Sequence, residues 1–264
     1  MPDAVISDLQ QRLDAVADVA RREWFEAYLK HVIEYRGVPM PEVVRTVSLW
    51  RKECGLDGLA RADQLDVAVS LIGCALAEDK FAGMVYIQKY LVRHVSADRI
   101  LEASEDLFAR GAFCNWATSD GYSMRVLGPL IRRGGYGVAQ RIAGWRTAAD
   151  LWQRRGSIVP FRAVVNDPSY HPLIAEVIAV LVKERERFIQ TGIGWVVSDM
   201  AKVHPDTAGA LVERHLEDLS VEVIRRHTRH FPDHERFRDM KRRQERPKRG
   251  TGDGTSRGRR QESA

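Results

Sequence analysis

Residues 171–187 read HPLIAEVIAVLVKERER. Pro172 stands where a helix takes proline, in its first turn, because the missing N–H has no intrahelical partner there. Val177, Ile178, Val180, Leu181 and Val182 then supply an apolar face, and the charged run Lys183–Arg187 closes the segment in a solvated end. Moving outward, amphipathic stretches of helical period recur at 5–33, 41–53, 64–77, 79–93, 97–112, 121–133, 137–146, 148–163, 188–202, 206–216 and 218–230. Breakers separate many of them: Gly37-Val38-Pro39, Gly55, Gly111, Gly134-Gly135, Asp167-Pro168 and His204-Pro205. No run of alternating β-branched residues bounded by turns competes with this pattern. Short helices joined by brief turns predict an all-α array of paired helices, although no strict repeat motif is visible.

The charge is unevenly placed. The chain has 264 residues and a formal net charge of +5. Residues 240–264 hold nine basic and three acidic side chains, a net +6, which leaves −1 for everything before them. The segment from about 236 is nearly devoid of apolar residues and is expected to be a basic, disordered tail beyond a folded body of 1–235. A polyanion is the natural partner of such a tail, through salt-sensitive and sequence-blind attraction. No apolar run approaches the ~20 residues that span a bilayer, and Met1–Leu9 carries two Asp where a signal peptide has basic residues, so a cytoplasmic protein is expected, and a monomer by default, since nothing indicates an oligomer. Cys54, Cys74 and Cys114 form no CxxC and are expected as reduced thiols.

Nucleotide and metal signatures are missing. Arg132-Arg133-Gly134-Gly135-Tyr136-Gly137 lacks the Lys-Ser/Thr and the preceding strand of a phosphate loop and reads as a basic interhelical turn. His227, His230 and His234 have helix-like spacing but no carboxylate cluster beside them, so no metal is expected.

Tryptophan is more informative. A Trp on a helix is ordinarily core, but two of the six here have unusual neighbours. Asp120 follows Trp116 by four residues, which puts both on one helix face. Gly192 and Gly194 precede Trp195 inside a helical segment. Small residues at those positions admit close approach of another surface, and tight helix–helix packing accounts for them equally well.

Taken in order, these segments resemble a known family. Phe188-Ile189-Gln190-Thr191-Gly192-Ile193-Gly194-Trp195-Val196-Val197, followed by Ala201-Lys202 and Pro205, is similar to the C-terminal motif of the DNA alkylation repair family, the AlkD-type HEAT-like-repeat alkylpurine DNA glycosylases. Glu26-Ala27-Tyr28-Leu29-Lys30-His31 with Gly37-Val38, Pro41 and Arg45 resembles the family's N-terminal block. Trp116 with Asp120 looks like its Trp-x-x-x-Asp element, and Trp152-Gln153-Arg154-Arg155 like its Trp-x-x-Arg element.

The resemblance implies HEAT-like repeats stacked into a curved α-solenoid with a concave DNA-binding face, acting on double-stranded DNA with alkylated bases and using no metal or organic cofactor. It implies that Tyr28, Trp116 and Trp195 line the pocket facing the damaged nucleotide, that Asp120 is the catalytic carboxylate, and that Arg155 holds the backbone or the lesion site. Lys30, Arg154 and Lys202 are expected at the DNA, with Arg132 and Arg133 on the same basic face.

The chemistry suits these side chains. Alkylation at purine N3 or N7 makes the base a cation, so the glycosidic bond breaks with a neutral leaving group and needs no general acid. The oxocarbenium-like sugar then needs an opposite charge nearby, which Asp120 supplies, and aromatic faces favour cations by ~0.5–2 kcal/mol each. Two departures stand out: Ala117 where the family often has Asp, and Ser198-Asp199 where it often has Arg-Glu. The expected function is therefore a DNA glycosylase for cationic N3- or N7-alkylated purines. The alternative is a non-catalytic helical-repeat module that binds damaged or branched DNA.

Overall fold

The structure, a computed structural model, describes residues 2–245. Among them there is no strand. The α-helices are α1 Pro2–Asp14, α2 Val19–Tyr28, α3 Met40–Glu53, α4 Arg61–Gly73, α5 Ala77–Tyr86, α6 Ala97–Ala109, α7 Trp116–Tyr122, α8 Gly128–Gly144, α9 Leu151–Gly156, α10 His171–Leu181, α11 Arg187–Ala201, α12 Pro205–Arg214, α13 Val221–His227 and α14 His234–Glu245. The expected breakers end most of them. Gly135 adopts φ 71° and kinks α8 where the double glycine predicted a turn, and the stretch 5–33 divides into α1 and α2 at the turn after Asp14.

The packing order reveals the architecture. Helix α1 lies on α3, α3 on α5, α5 on α7, α7 on α9, α9 on α11 and α11 on α13, so the odd-numbered helices form one continuous layer. Helices α4, α6, α8 and α10 follow one another in a second layer. This is the helical-repeat solenoid the periodicity implied, each helix burying its apolar stripe against its neighbours. One core of aliphatic and aromatic side chains runs from Leu9 to Phe237. A satellite cluster of Leu29, Ile33, Tyr35 and Ala77, with Phe25 and Trp116 against it, fastens the segment after α2 to the array.

That segment is held electrostatically as well. The buried Glu78 carboxylate accepts from the N–H groups of Arg36 (2.9 Å), Gly37 (2.9 Å) and Val38 (3.0 Å), and Arg36 bridges Asp14 (2.6 Å) and Asp79 (2.9 Å). The Gly37-Val38 block of the sequence thus serves to anchor a loop.

The expected boundary at 235 is corrected. Helix α14 continues through 236–245, with Phe237 fully buried and Lys241 donating to the carbonyls of Leu216 (3.1 Å) and Glu217 (3.0 Å). Phe237 and Met240 lie three apart on one helical face, which suffices to dock an otherwise charged helix. The remainder of the expected disordered tail, 246–264, lies outside the described residues. No helix among the described residues is long and apolar enough to cross a membrane.

Candidate active site

Asn115 caps α7, its side-chain oxygen accepting from Thr118 N at 3.0 Å. That fixes the start of the helix, so Trp116 and Asp120 sit one turn apart on the same face, as their spacing predicted. Trp116 is half-buried and meets Tyr28 edge-on, ring centroids 5.8 Å apart. Asp120 is buried, yet it lines a cleft of about 830 Å³ together with Tyr28, Lys30, Trp116, Arg155 and Trp195. Six of the eight site residues expected from the sequence therefore converge at one place.

Arg155 faces Asp120 directly. It lies in α9, whose start is capped by Asp150 (2.7 Å to Gln153 N). Its Nε donates to Asp120 Oδ1 at 2.7 Å and its Nη2 to Oδ2 at 2.8 Å, the two-pronged geometry at which arginine excels. Nη1 donates to the Phe188 carbonyl and to Thr191 Oγ1 (3.3 Å). Gly192 makes room for this guanidinium: a Cβ there would lie 3.1 Å from Nη1. Gly194 makes room for His227 in the same way, a Cβ there falling 2.6 Å from the ring Cδ2. Both glycines ahead of Trp195 are thus explained by close packing within the cleft wall.

Trp195 carries a feature the sequence did not suggest. The Arg162 guanidinium stacks 4.1 Å from its ring centroid and is held there by Asp199 at 2.6 Å. Asp199 also pairs with Lys202 at 2.7 Å. Burial pushes the Asp199 carboxyl up, but hydrogen bonds from Lys202 and Arg162 outweigh this and hold it below the usual carboxylate range. Arg162 reaches Trp195 and Asp199 from another element, the 3-10 turn Val159–Ala163.

At the opposite edge, α2 ends at Tyr28 and the chain passes through two left-handed residues, Lys30 (φ 55°) and His31 (φ 56°). Non-glycine residues in that region cost of order 1–3 kcal/mol each, a strain that tends to gather at functional sites. Tyr28 is 58% exposed and stacks at 5.2 Å on Trp24, which is 60% exposed.

The remaining wall was not foreseen. Trp152 and Phe188 pack with centroids 5.1 Å apart. Arg187 and Arg226 share Glu222, at 2.7 and 2.9 Å, and the hydrogen bond from Arg187 holds the Glu222 carboxyl below the usual range against burial. These charges and His227 line the cleft. Its cations are Lys30, Arg155, Arg187 and Arg226, against the carboxylates Asp120 and Glu222.

Arg154 and Lys202 do not line it. Arg154 is bound to Glu184 (3.0 Å) and to the carbonyls of Ala148 and Ala149, and Lys202 to Asp199. Arg132 and Arg133 donate to main-chain carbonyls of Ala163, Val92 and Val95 and also lie outside the cleft. Among the described residues no group of three or more His, Cys, Asp or Glu is placed to hold a metal ion.

The arrangement offers a fixed negative charge, aromatic faces and a rim of cations. A model of the DNA alkylation repair enzyme family matches residues 9–231. A solved structure described as a predicted DNA alkylation repair enzyme from Enterococcus faecalis superposes with a TM-score of 0.70 at 17% identity, covering 81% of this chain and 95% of that one. No curated protein matches. At that identity the superposition speaks for the fold alone, whereas the family match spans the helices that build the cleft, and the chain belongs to the DNA alkylation repair enzyme family.

Proposed function

We propose that the protein is a DNA glycosylase that hydrolyses the N-glycosidic bond of cationic N3- or N7-alkylated purines in duplex DNA. The observation that carries this reading is Asp120: an acidic residue only 4% exposed that nevertheless lines a cleft with three tryptophans, Trp116, Trp152 and Trp195.

The proposed roles follow from placement. Burial reduces solvent screening, so a negative charge at Asp120 interacts strongly with a positive charge developing at the sugar. Arg155 orients the carboxylate through its two hydrogen bonds and is itself fixed by Phe188 and Thr191. The faces of Trp116, Trp195 and Tyr28 suit a cationic base. Lys30, Arg187 and Arg226 at the rim provide phosphate contacts, each worth about one unit of salt dependence. The leaving purine takes the bonding electron pair and becomes neutral, so the reaction requires no acid, metal or covalent intermediate.

One observation favours the non-catalytic alternative. In the resting protein Arg155 occupies both oxygens of Asp120, which partly cancels the charge the reaction would use. The two readings separate when purified protein is incubated with duplex DNA carrying N7-methylguanine and free base is followed by chromatography. Release above the spontaneous rate supports the glycosylase. Tight binding without release supports the binding module.

A further inference from the structure

His227 ends α13 with its ring against Gly194 of α11, where any side chain at 194 would collide with Cγ and Cδ2. The imidazole is therefore seated in the cleft wall by a glycine, one residue before Trp195, and it faces the same space as Asp120. His171, His204 and His234 spend a ring nitrogen on the Val165 carbonyl, the Asn166 carbonyl and Thr228 Oγ1, whereas His31, His94, His215 and His230, whose rings have no such partner among the described residues, do not line the cleft. The ring nitrogens of His227 form no hydrogen bond with any described residue. Asp120, by contrast, has both oxygens engaged by Arg155.

We infer that His227 is a further catalytic residue, the base that takes the proton of the attacking water. The inference rests on the glycosylase reading above. In the step it serves, the water oxygen bonds to the sugar C1′ as the C1′–N bond breaks. The electron pair of that bond passes to the purine and cancels its positive charge, and the water proton moves to a free imidazole nitrogen. The resulting imidazolium later returns the proton to solvent.

Burial above all keeps the imidazole in its base form. Burial pushes its pKa below the ordinary value, the neighbouring Arg226, Arg155 and Arg162 push the same way, and Glu222 opposes them. The neutral ring is thus present at pH 7 and is lost only as pH falls through the lowered value.

The test is single-turnover release of N7-methylguanine from duplex DNA between about pH 5 and 8, with the spontaneous rate subtracted. The wild-type rate is expected to fall at the acid end, with its inflection below that of free histidine. His227→Gln is expected to be slower by roughly 100-fold, the low end for a positioned base, with a flat profile and unchanged affinity for DNA. A His227→Gln profile that matches the wild type overturns the inference and leaves the glycosylase reading standing. Absence of release by the wild-type protein overturns both. Should His227→Gln fail to fold, NMR titration of the wild-type imidazole is set against the wild-type rate profile: a kinetic inflection that coincides with the imidazole's upholds the inference, and a rate that does not follow the imidazole's titration overturns it.

Discussion

Replacing Asp120 by Asn separates structural from chemical roles, because the structure sets the size of both effects. Asp120 and Arg155 meet through two hydrogen bonds of 2.7 and 2.8 Å, with side chains 6% and 4% exposed. Breaking such a buried pair from one side costs about 3–5 kcal/mol, since the other charge is left uncompensated. Asparagine keeps one acceptor for Arg155, so the lower end, about 3 kcal/mol, is expected. For a chain of this length that is a fall in Tm of about 6–12 °C. Urea unfolding measures the loss, and base release normalised to the folded fraction measures the chemistry, expected to drop about 100- to 1,000-fold as for removal of a preorganised electrostatic group. The double variant Asp120→Leu/Arg155→Met replaces the pair with apolar side chains and is expected to regain most of the stability but none of the activity. An Asp120→Asn protein as stable as the wild type would refute the energetic reasoning. A double variant that releases base would refute the assignment of Asp120.

Other perturbations follow from the same contacts. Gly194→Ala forces a methyl against the His227 ring and is expected to cost about 1–3 kcal/mol by overpacking, read by urea unfolding; no loss would mean the ring swings aside freely. Arg162→Leu removes the cation stacked on Trp195, which competes with a cationic base for the ring's negative potential, and is expected to strengthen binding to alkylated duplex while leaving affinity for undamaged duplex unchanged, measured by fluorescence anisotropy. It also raises the Asp199 carboxyl towards the ordinary range. The stabilisation Asp199 gives when ionised is present above the unfolded carboxylate pKa and is lost as pH falls through its depressed folded value, so acid unfolding of Arg162→Leu should begin at higher pH. Truncation after residue 235 deletes Phe237 and is expected to lower Tm, since large-to-small loss of a buried Phe alone costs about 3–5 kcal/mol; an unchanged Tm would show that α14 is not docked through Phe237.

Much of this was legible in the sequence because it is local. Helical period, first-turn prolines and glycine breakers follow from neighbours along the chain, and so does the placement of Trp116 and Asp120 on one face. What stayed hidden depends on which helices meet. Arg154 and Arg155 look equivalent in sequence, yet adjacent residues on a helix point about 100° apart, and only the packing of α9 between α7 and α11 decides that Arg155 faces Asp120 and Arg154 faces Glu184. Arg162 stands 33 residues before Trp195 with no motif to mark it. His227 reads as one of three spaced histidines, but its meaning comes from Gly194 on another helix. The basic tail shows the opposite failure: counting charges from 236 hid the two apolar side chains, Phe237 and Met240, that dock α14.

Although the chain is +5 overall, the residues before 240, which hold the whole cleft, sum to −1. The cleft resolves this locally, because Lys30, Arg187 and Arg226 rim a site whose floor is Asp120. Replacing any one of the three by Ala is expected to lower the slope of log affinity against log salt by about one.

The cleft is proposed to break a glycosidic bond whose leaving base carries a positive charge. The most direct measurement places N7-methylguanine, a cation, and hypoxanthine, a neutral base, in otherwise identical duplexes and follows free base under single-turnover conditions. Release of N7-methylguanine well above its spontaneous rate, with hypoxanthine retained, is the predicted result. Equal release of both, or release of neither, would contradict it.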